Sequence, residues 1–334
     1  MRPSQAIAAT LLVSLSLAAS MPAQSVNTAT DPVGFNSTVV ASGTVAALAV
    51  PFDRLTVFQG AVTSRTATTL TTTAAAFGTY GPFASNPHTV IMLSGANVGR
   101  RFLIDSNNTD TLTITTGGDL TTQIANGDTY KIVPCHTLGS LFGTDGAGLN
   151  VSNSFSTADQ IQLREGGAWL TFFHTANPGG FWAQTGQGAT NFNNKAVLPE
   201  QGFLLVRRPS SNFTFTGLGA VPTTNLRTDF PANAITNFSN RFPTATTLAG
   251  LGLDTLPGWI NSNSFNSADQ VLIRSGGAWL TFFHTANPGG FWAQTGQGAT
   301  NFNTQPIDIG TSVVVVRRPG TAVTLVQTRP YTLP

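Results

Sequence analysis

The chain has 334 residues, of which 41% are hydrophobic and only 9% are charged, and its formal net charge is +2 at pH 7. An average soluble domain has roughly 25% charged residues, so Thr, Asn, Ser, Gln and Gly must supply most of the polar surface. Such a neutral surface has weak long-range fields, which argues against a nucleic-acid partner. The length favours two or three domains of roughly 100–200 residues each.

The N-terminus has the order of a secretory signal peptide. A short basic start, Met1 to Gln5, precedes an apolar stretch from Ala6 to Ala19 and small residues up to Ala23. This stretch is shorter than the roughly 20 residues that cross a bilayer comfortably, although an uncleaved anchor is the alternative. We expect cleavage after Ser20 or Ala23, so that residues 1–23 are a signal peptide. The mature chain is then secreted or held at the cell surface, or released into the periplasm, and has no membrane span.

Residues 30–135 are predicted to be an N-terminal β region. Apolar and β-branched runs predict its strands at 38–50, 55–64, 89–93, 102–105, 111–114 and 129–133. Residues 59–135 have the size of a small barrel or sandwich, which is either a domain of its own or an insertion into the module that follows. Cys135 is the only cysteine, so an intramolecular disulfide is impossible. We interpret it as a small core residue, with pairing between chains as the alternative.

An internal repeat organises the remainder of the chain. Gly166–Asn193 recurs letter for letter as Gly276–Asn303, at an offset of 110 residues, and weaker matches flank it on both sides. We predict a first repeat module at 136–220 and a second at 221–334. An identity this long between weaker flanks is typical of a recent duplication, so it says little about functional constraint. Residues 217–246 are either a linker or the opening strands of the second module.

Each repeat unit is predicted to be a set of strands. A strand at 158–164 is followed by a Gly–Gly turn and by a return strand at 169–174. Thr137–Phe142 is predicted to be a single helical turn. The pairs Arg207–Arg208 and Arg317–Arg318 end strands, and we interpret them as protection of a sheet edge, with binding of acidic groups as the alternative. The expected fold class is all-β, with tandem sandwich or barrel-like modules and a small inserted or N-terminal β domain.

The return strand is aromatic on both of its faces. Neighbouring side chains point to opposite faces, which places Trp169 with Phe173 on one face and Phe172 with His174 on the other. A sandwich buries only one face of each sheet. The second face therefore needs a cover, which is a loop, the sister module, another chain or a ligand.

Four tryptophans are the candidate ligand-binding residues, namely Trp169, Trp182, Trp279 and Trp292. Trp182 and Trp292 lie beside Gly-rich turns and could be flat platforms for sugar rings, although core positions are the alternative. Possible self-association and a cell-surface polysaccharide are the partners that these patterns indicate.

No pattern of catalytic or metal-binding residues is evident. The four histidines, His88, His136, His174 and His284, form no pair at metal-binding spacing, and the 14 acidic residues are scattered. Esterase, phosphate-loop and dinucleotide fingerprints are missing. We expect a protein that has no catalytic activity and binds no cofactor and no metal. A secreted polysaccharide-active enzyme is the least favoured alternative.

Four motifs recur in this order in an uncharacterised family of exported bacterial β-rich proteins: Asp31–Phe35, Thr137–Phe142, Ala158–Gln160 and Gly167–Trp169. The chain resembles that family over about residues 30–210. The family has no established activity, so the resemblance implies export and transfers no functional residue. We expect an exported structural or cell-surface interaction protein without catalytic activity, with a carbohydrate-binding protein as the alternative.

Overall fold

The computed structural model describes residues 31–115, 118–177 and 179–332. The predicted signal peptide, residues 1–23, lies outside the described residues. The described chain is 39% strand and 6% helix, arranged as several antiparallel sheets that include a curled half-barrel. The predicted all-β class is therefore confirmed.

The chain begins with two strands, β1 (Val33–Val40) and β2 (Val45–Leu48). The next seven strands are β3 (Phe58–Ala61), β4 (Ser64–Arg65), β5 (Thr69–Thr71), β6 (His88–Met92), β7 (Arg101–Asn107), β8 (Thr111–Thr115) and β9 (Thr129–Pro134). A 3-10 helix at Phe77–Tyr80 and helix α1 (Leu120–Gln123) lie between them.

The first copy of the repeat follows. It consists of β10 (His136–Thr137), α2 (Leu138–Phe142), β11 (Gln160–Glu165), β12 (Ala168–His174), β13 (Trp182–Gln184), β14 (Ala196–Val197), β15 (Phe203–Val206) and β16 (Phe213–Ala220).

The second copy has two strands before the repeat itself. Its strands are β17 (Leu226–Phe230), β18 (Ile235–Ser239), β19 (Thr246–Thr247), β20 (Gln270–Ser275), β21 (Ala278–His284), β22 (Trp292–Gln294), β23 (Pro306–Ile307), β24 (Ser312–Val316) and β25 (Val323–Gln327). Two 3-10 helices lie at Ala249–Leu251 and Leu253–Thr255.

Strand pairing is the same in the two copies. One five-stranded sheet has the order β13-β12-β11-β15-β2, and the other has the order β22-β21-β20-β24-β18. The ribbons β1-β16 and β17-β25 correspond, as do the short pairs β10-β14 and β19-β23. The opening strands β1 and β2 thus belong to the first module, because they pair with its last two strands.

The segment between β2 and β10 has no counterpart in the second module. Val45 pairs with Val206 and Ile235 with Val316, so equivalent residues are 190 positions apart before this segment and 110 apart after it. The difference is 80 residues. We name residues 55–134 the insert. The first module is then 31–54 with 135–220, and the second is 221–332. The insert forms its own seven-stranded sheet, β3-β9-β6-β7-β8-β5-β4, around a separate core.

The tight hairpin between β11 and β12 depends on two glycines. Gly166 and Gly167 have φ angles of 54° and 84°, and Gly276 and Gly277 have 55° and 85°. A two-residue turn that matches the twist of its strands needs positive φ at both positions. This is the turn that the Gly–Gly pair predicts, and it fixes the register that sorts the β12 side chains between the two faces.

The two modules meet through reciprocal contacts. The Ala49 amide donates to the Gly310 carbonyl at 2.7 Å, and the Ser239 amide donates to the Glu200 carbonyl at 3.1 Å. Ser239 is the equivalent of Ala49, and Gly310 is the equivalent of Glu200. The same patch of each module therefore contacts its counterpart, as in an isologous two-fold dimer.

A second reciprocal pair involves long side chains. The Arg164 guanidinium donates from Nε to the Ile235 carbonyl at 3.0 Å, and Arg274 donates to the Val45 carbonyl at 3.2 Å. Each arginine leaves its own hairpin and ends on the edge strand of the other module. The hairpin tips are thus held in place by the opposite module.

Candidate binding surfaces

Each five-stranded sheet has a buried inner face and a half-exposed outer face. In the first module, Ile161, Leu163 and Phe172 belong to the core and are no more than 1% exposed. Their neighbours Trp169 and Phe173 lie on the outer face and are half-buried. The sequence did not predict what covers this outer face. In the structure, the described residues cover it only in part.

Trp169 and Trp279 occupy equivalent places on the two outer faces. The guanidinium carbon of Arg164 lies 5.5 Å from the ring centre of Trp169, and that of Arg274 lies 5.4 Å from the ring of Trp279. A guanidinium over an indole face is attracted by the ring quadrupole. Because the same arginine is tied to the other module, this contact fixes the orientation of the tryptophan ring.

Trp182 and Trp292 lie inside the modules and not on the outer faces. Both side chains are 0% exposed and belong to the two module cores. The Trp182 ring packs against Phe142 of α2, with ring centres 5.6 Å apart, and its Nε1 donates to the Gly143 carbonyl at 2.9 Å. A buried ring has no free face for a sugar, so the interpretation of these two residues as platforms is wrong. Their strand places them on the inner face of each sheet.

Two exposed phenylalanines extend the outer faces. Phe155 is 47% exposed and Phe265 is 40% exposed. Gln160 donates to the Phe155 carbonyl at 2.7 Å, and Gln270 donates to the Phe265 carbonyl at 2.5 Å. These glutamines lie on the outer face and hold the loop that carries the phenylalanine. Each face therefore combines two or three aromatic rings with amide and hydroxyl groups.

The paired arginines do not protect a sheet edge as the sequence indicated. Arg207 forms an ion pair with Asp159, and Arg317 forms one with Asp269 at 2.9 Å, and all four side chains are almost fully buried. Asp159 also accepts hydrogen bonds from the Arg208 and Asn150 amides, both at 2.6 Å. These residues join β15 and β24 to the loops before β11 and β20, so their role is structural.

Sequence reasoning missed a buried charge cluster at the junction of the insert with both modules. Arg101 of the insert pairs with Asp53 and lies 3.3 Å from Glu200 of the first module, and Arg241 of the second module lies 3.9 Å from Glu200. Burial by itself would raise the pKa of Asp53, but the nearby cations, Arg101 above all, hold that pKa below its usual value. Burial lowers the pKa of Arg241. These residues are far apart in sequence, and no local pattern brings them together.

Cys135 and His136 lie beside this cluster and are buried. Burial raises the pKa of the Cys135 thiol to about 12, so the thiol stays protonated and unreactive at neutral pH. The core role expected for Cys135 agrees with this environment. Burial lowers the pKa of His136 to about 4, and its Nε2 is 3.1 Å from the Phe52 carbonyl. His136 is therefore a neutral donor at neutral pH.

Among residues 31–115, 118–177 and 179–332, no group of three or more His, Cys, Asp or Glu side chains is placed to hold a metal ion. Within the same ranges, no helix is long and apolar enough to cross a membrane. No protein-family model matches the chain, and neither the curated proteins nor the solved structures contain a match. The resemblance to exported bacterial β-rich proteins stays a prediction.

Proposed function

We propose that this chain is an exported, non-catalytic interaction protein that attaches to a polysaccharide through the outer faces of its two five-stranded sheets. The observation that carries the proposal is the duplicated placement of Trp169 and Trp279. Both rings are half-exposed, and each is fixed by an arginine anchored on the other module.

The chemistry of the outer faces suits sugar rings. An indole or phenyl ring offers a flat apolar surface for the C–H face of a sugar, and a pre-fixed ring loses little conformational entropy on binding. Thr171 and Gln162 stand beside Trp169 in the sheet register and supply hydroxyl and amide groups. Two equivalent faces in one chain can engage a repetitive polymer at two points, which raises the overall affinity well above that of either face.

A second candidate function, self-association as a structural subunit, is favoured by the ribbon β1-β16. Phe35 is 73% exposed and pairs directly with Leu218, which is 65% exposed. In the second module the corresponding ribbon carries Arg227 and Asp229, and Asp229 forms an ion pair with Arg100 of the insert at 2.5 Å. The ribbon of the first module thus presents the larger uncovered apolar surface, of the kind that monomers rarely expose.

Co-sedimentation of the mature chain, from about residue 24, with insoluble polysaccharides tests the main proposal. We expect retention on at least one of cellulose, chitin or peptidoglycan. Trp169→Ala or Trp279→Ala should weaken retention, and the double variant should abolish it. Phe302→Ala, at a partly buried ring that packs against the second-module core, is the control for a general loss of structure. Retention that is unchanged in the double variant would contradict the proposal.

Sedimentation velocity and negative-stain electron microscopy across concentration test the second candidate. If the ribbon is an assembly surface, oligomers should grow with concentration, and Phe35→Ser with Leu218→Ser should return the chain to a monomer. A clean monomer at all concentrations would remove the structural-subunit function and leave polysaccharide attachment.

A further inference from the structure

A groove runs between the two modules, and at one end the insert forms part of its wall. Its two ends are cavities of about 360 Å³ and about 440 Å³ that share Gln201, Pro231, Thr236 and Asn237. One end reaches Arg164 and the other reaches Arg100. Volumes of 300–1,000 Å³ are typical of small-ligand sites. We name this feature the junction groove.

The junction groove is lined by buried polar groups that lack hydrogen-bond partners. Asn237 is 4% exposed, and neither its Nδ2 nor its Oδ1 has a partner among the described residues. The same holds there for Thr228 Oγ1 and for the Nε atom of Arg227. Buried polar groups in proteins are nearly always hydrogen-bonded. A concentration of unsatisfied donors and acceptors along one groove therefore points to a ligand that satisfies them.

Most charged side chains of the groove are paired with a charge of opposite sign, which favours a neutral ligand. Arg100 pairs with Asp229 at 2.5 Å, and Arg101 lies 3.3 Å from Glu200. At the other end Glu165 pairs with Lys195 at 2.7 Å. The unpartnered atoms include both donors and acceptors, and a hydroxyl group can answer either kind. A ligand rich in hydroxyl groups fits this lining better than an ion of either sign.

The lining of the groove differs from the equivalent residues on the other side of the two-fold arrangement. Asn237 is equivalent to Ala47 and Gln201 to Thr311, and only one side has an insert to form the second wall. Arg164, which lines one end of the groove, also stacks on Trp169. The groove thus adjoins the outer face of the first module, which carries Trp169.

We infer that the junction groove binds a short stretch of neutral sugar rings, continuous with the polysaccharide held on the Trp169 face. This inference rests on the proposed function and adds to it a single internal site. Asn237 supplies a donor and an acceptor at the centre of the groove, and Gln201 supplies a second amide. One oligosaccharide is then bound per chain, although the chain has two outer faces.

Isothermal titration calorimetry with neutral hexasaccharides tests this inference. The probes are β-1,4-linked glucose, β-1,4-linked N-acetylglucosamine and α-1,4-linked glucose. We expect one of them to bind with a stoichiometry of one per chain. Asn237→Ala and Gln201→Ala should each weaken binding by about tenfold, the effect of losing hydrogen bonds worth about 1.4 kcal/mol. Thr311→Ala, at the position equivalent to Gln201, should leave the affinity unchanged.

Thermal unfolding separates a binding role from a structural role. Asn237→Ala removes a buried amide without partners, so its Tm should be equal to or above that of the parent chain while its affinity falls. A fall in Tm together with affinity would show that Asn237 acts only on the fold. In that case the affinity of the Gln201→Ala variant, which changes a half-buried residue, is the deciding measurement. Unchanged affinity in that variant would overturn the inference.

The outcomes for the two proposals are distinguishable. Retention on insoluble polysaccharide without binding of any hexasaccharide would overturn the groove and keep the outer faces. No retention of the parent chain on any of the insoluble polysaccharides, together with one-to-one hexasaccharide binding, would overturn the outer faces and keep the groove. Binding of two hexasaccharides per chain, or equal weakening by Trp279→Ala, would also overturn the groove. So would an equally tight response to an uncharged extended peptide, since it would show recognition of a polypeptide backbone.

Discussion

Gly202 and Ser312 are equivalent residues of the two modules, and they face each other across the interface. A Cβ atom on Gly202 would overlap the Cβ of Ser312 and lie 2.8 Å from the Leu48 carbonyl oxygen. Gly202 also has a φ angle of +61°, and Ser312 is only 2% exposed. The interface has room for one side chain at this point, so the repeat must depart from its own symmetry here.

Gly202→Ser, which would make the two modules alike at this position, should destabilise the fold by about 2–4 kcal/mol. Overpacking of a full site costs about 1–3 kcal/mol, and a side chain at this φ angle adds about 1 kcal/mol. Urea unfolding measures the change. Ser312→Gly is the control and should cost about 1 kcal/mol or less. Equal effects of the two substitutions would contradict the asymmetric interface.

His136 should make the fold less stable in mild acid. Its pKa is about 4 in the folded chain because of burial, against an ordinary value of 6.5. Between these values the unfolded chain binds a proton that the folded chain does not, so stability falls as the pH drops from about 6.5 to about 4 and then levels off. The shift corresponds to about 3 kcal/mol.

Urea unfolding at a series of pH values between 4 and 7 checks this dependence. His136→Thr, the residue at the equivalent position 246, should flatten most of the slope. A smaller slope should remain from His88, since burial lowers its pKa in the same direction. Identical pH profiles for the parent and His136→Thr would show that His136 does not cause the effect.

Replacing the two core tryptophans by phenylalanine should lower the stability by different amounts, although their local sequences are identical. Trp182→Ala and Trp292→Ala should each cost about 3–5 kcal/mol, as expected for a large buried ring. Trp182 Nε1 donates to the Gly143 carbonyl, whereas Trp292 Nε1 has no partner among the described residues. Trp182→Phe should therefore cost about 1–3 kcal/mol more than Trp292→Phe. Chemical denaturation of the four variants measures these differences, and equal costs for the two phenylalanine variants would contradict the hydrogen-bond argument.

The buried ion pairs should be costly to break. Asp159→Ala leaves the Arg207 guanidinium buried without its carboxylate and removes the acceptor of two backbone amides. We expect a loss of about 3–5 kcal/mol, and the same for Asp269→Ala in the second module. Asp308→Ala, at an exposed carboxylate, should change stability by less than about 0.5 kcal/mol. A loss below about 1 kcal/mol for Asp159→Ala would rule out a structural role for the pair.

The insert should be separable from the two modules. Its core cluster is distinct from theirs, and the second module joins the corresponding strands with a short connector. Replacement of residues 50–135 by the sequence of 240–245 should give a chain that still unfolds cooperatively. Residues 55–134 alone should give a dispersed amide spectrum, and limited proteolysis of the whole chain should cut near their ends. A chain that fails to fold without the insert, with no cuts near 55 or 135, would contradict this organisation.

Local chemistry predicted the hairpins and the helical turn. The Gly–Gly pairs and the alternation in 158–174 predict β11 and β12. Thr137–Phe142 contains helix α2, whose N-terminus is fixed by a capping box between Thr137 and Ser140. Of the two interpretations of residues 217–246, the opening strands are correct, because β17 and β18 lie there and pair with β25 and β24.

Long-range contacts decided what the sequence left open. Both faces of β12 are apolar, so the alternation of side chains does not show which face of the sheet meets the core. The face that meets the core buries Trp182, and the opposite face leaves Trp169 half-exposed. The junction groove joins residues as distant as Arg100 and Asn237. Each lies in an ordinary polar segment, and only the packing of the insert against two modules brings them together.

The isologous contact between the modules should persist even when the protein is very dilute. A two-fold association of separate chains is lost when their concentration falls below the dissociation constant. Here both halves belong to one polypeptide, so their mutual concentration is set by the short connection at 221–225 and reaches the millimolar range however dilute the solution. The shared surface can then be small and polar, with arginine-to-carbonyl bonds in place of a large apolar area, and still hold the halves together.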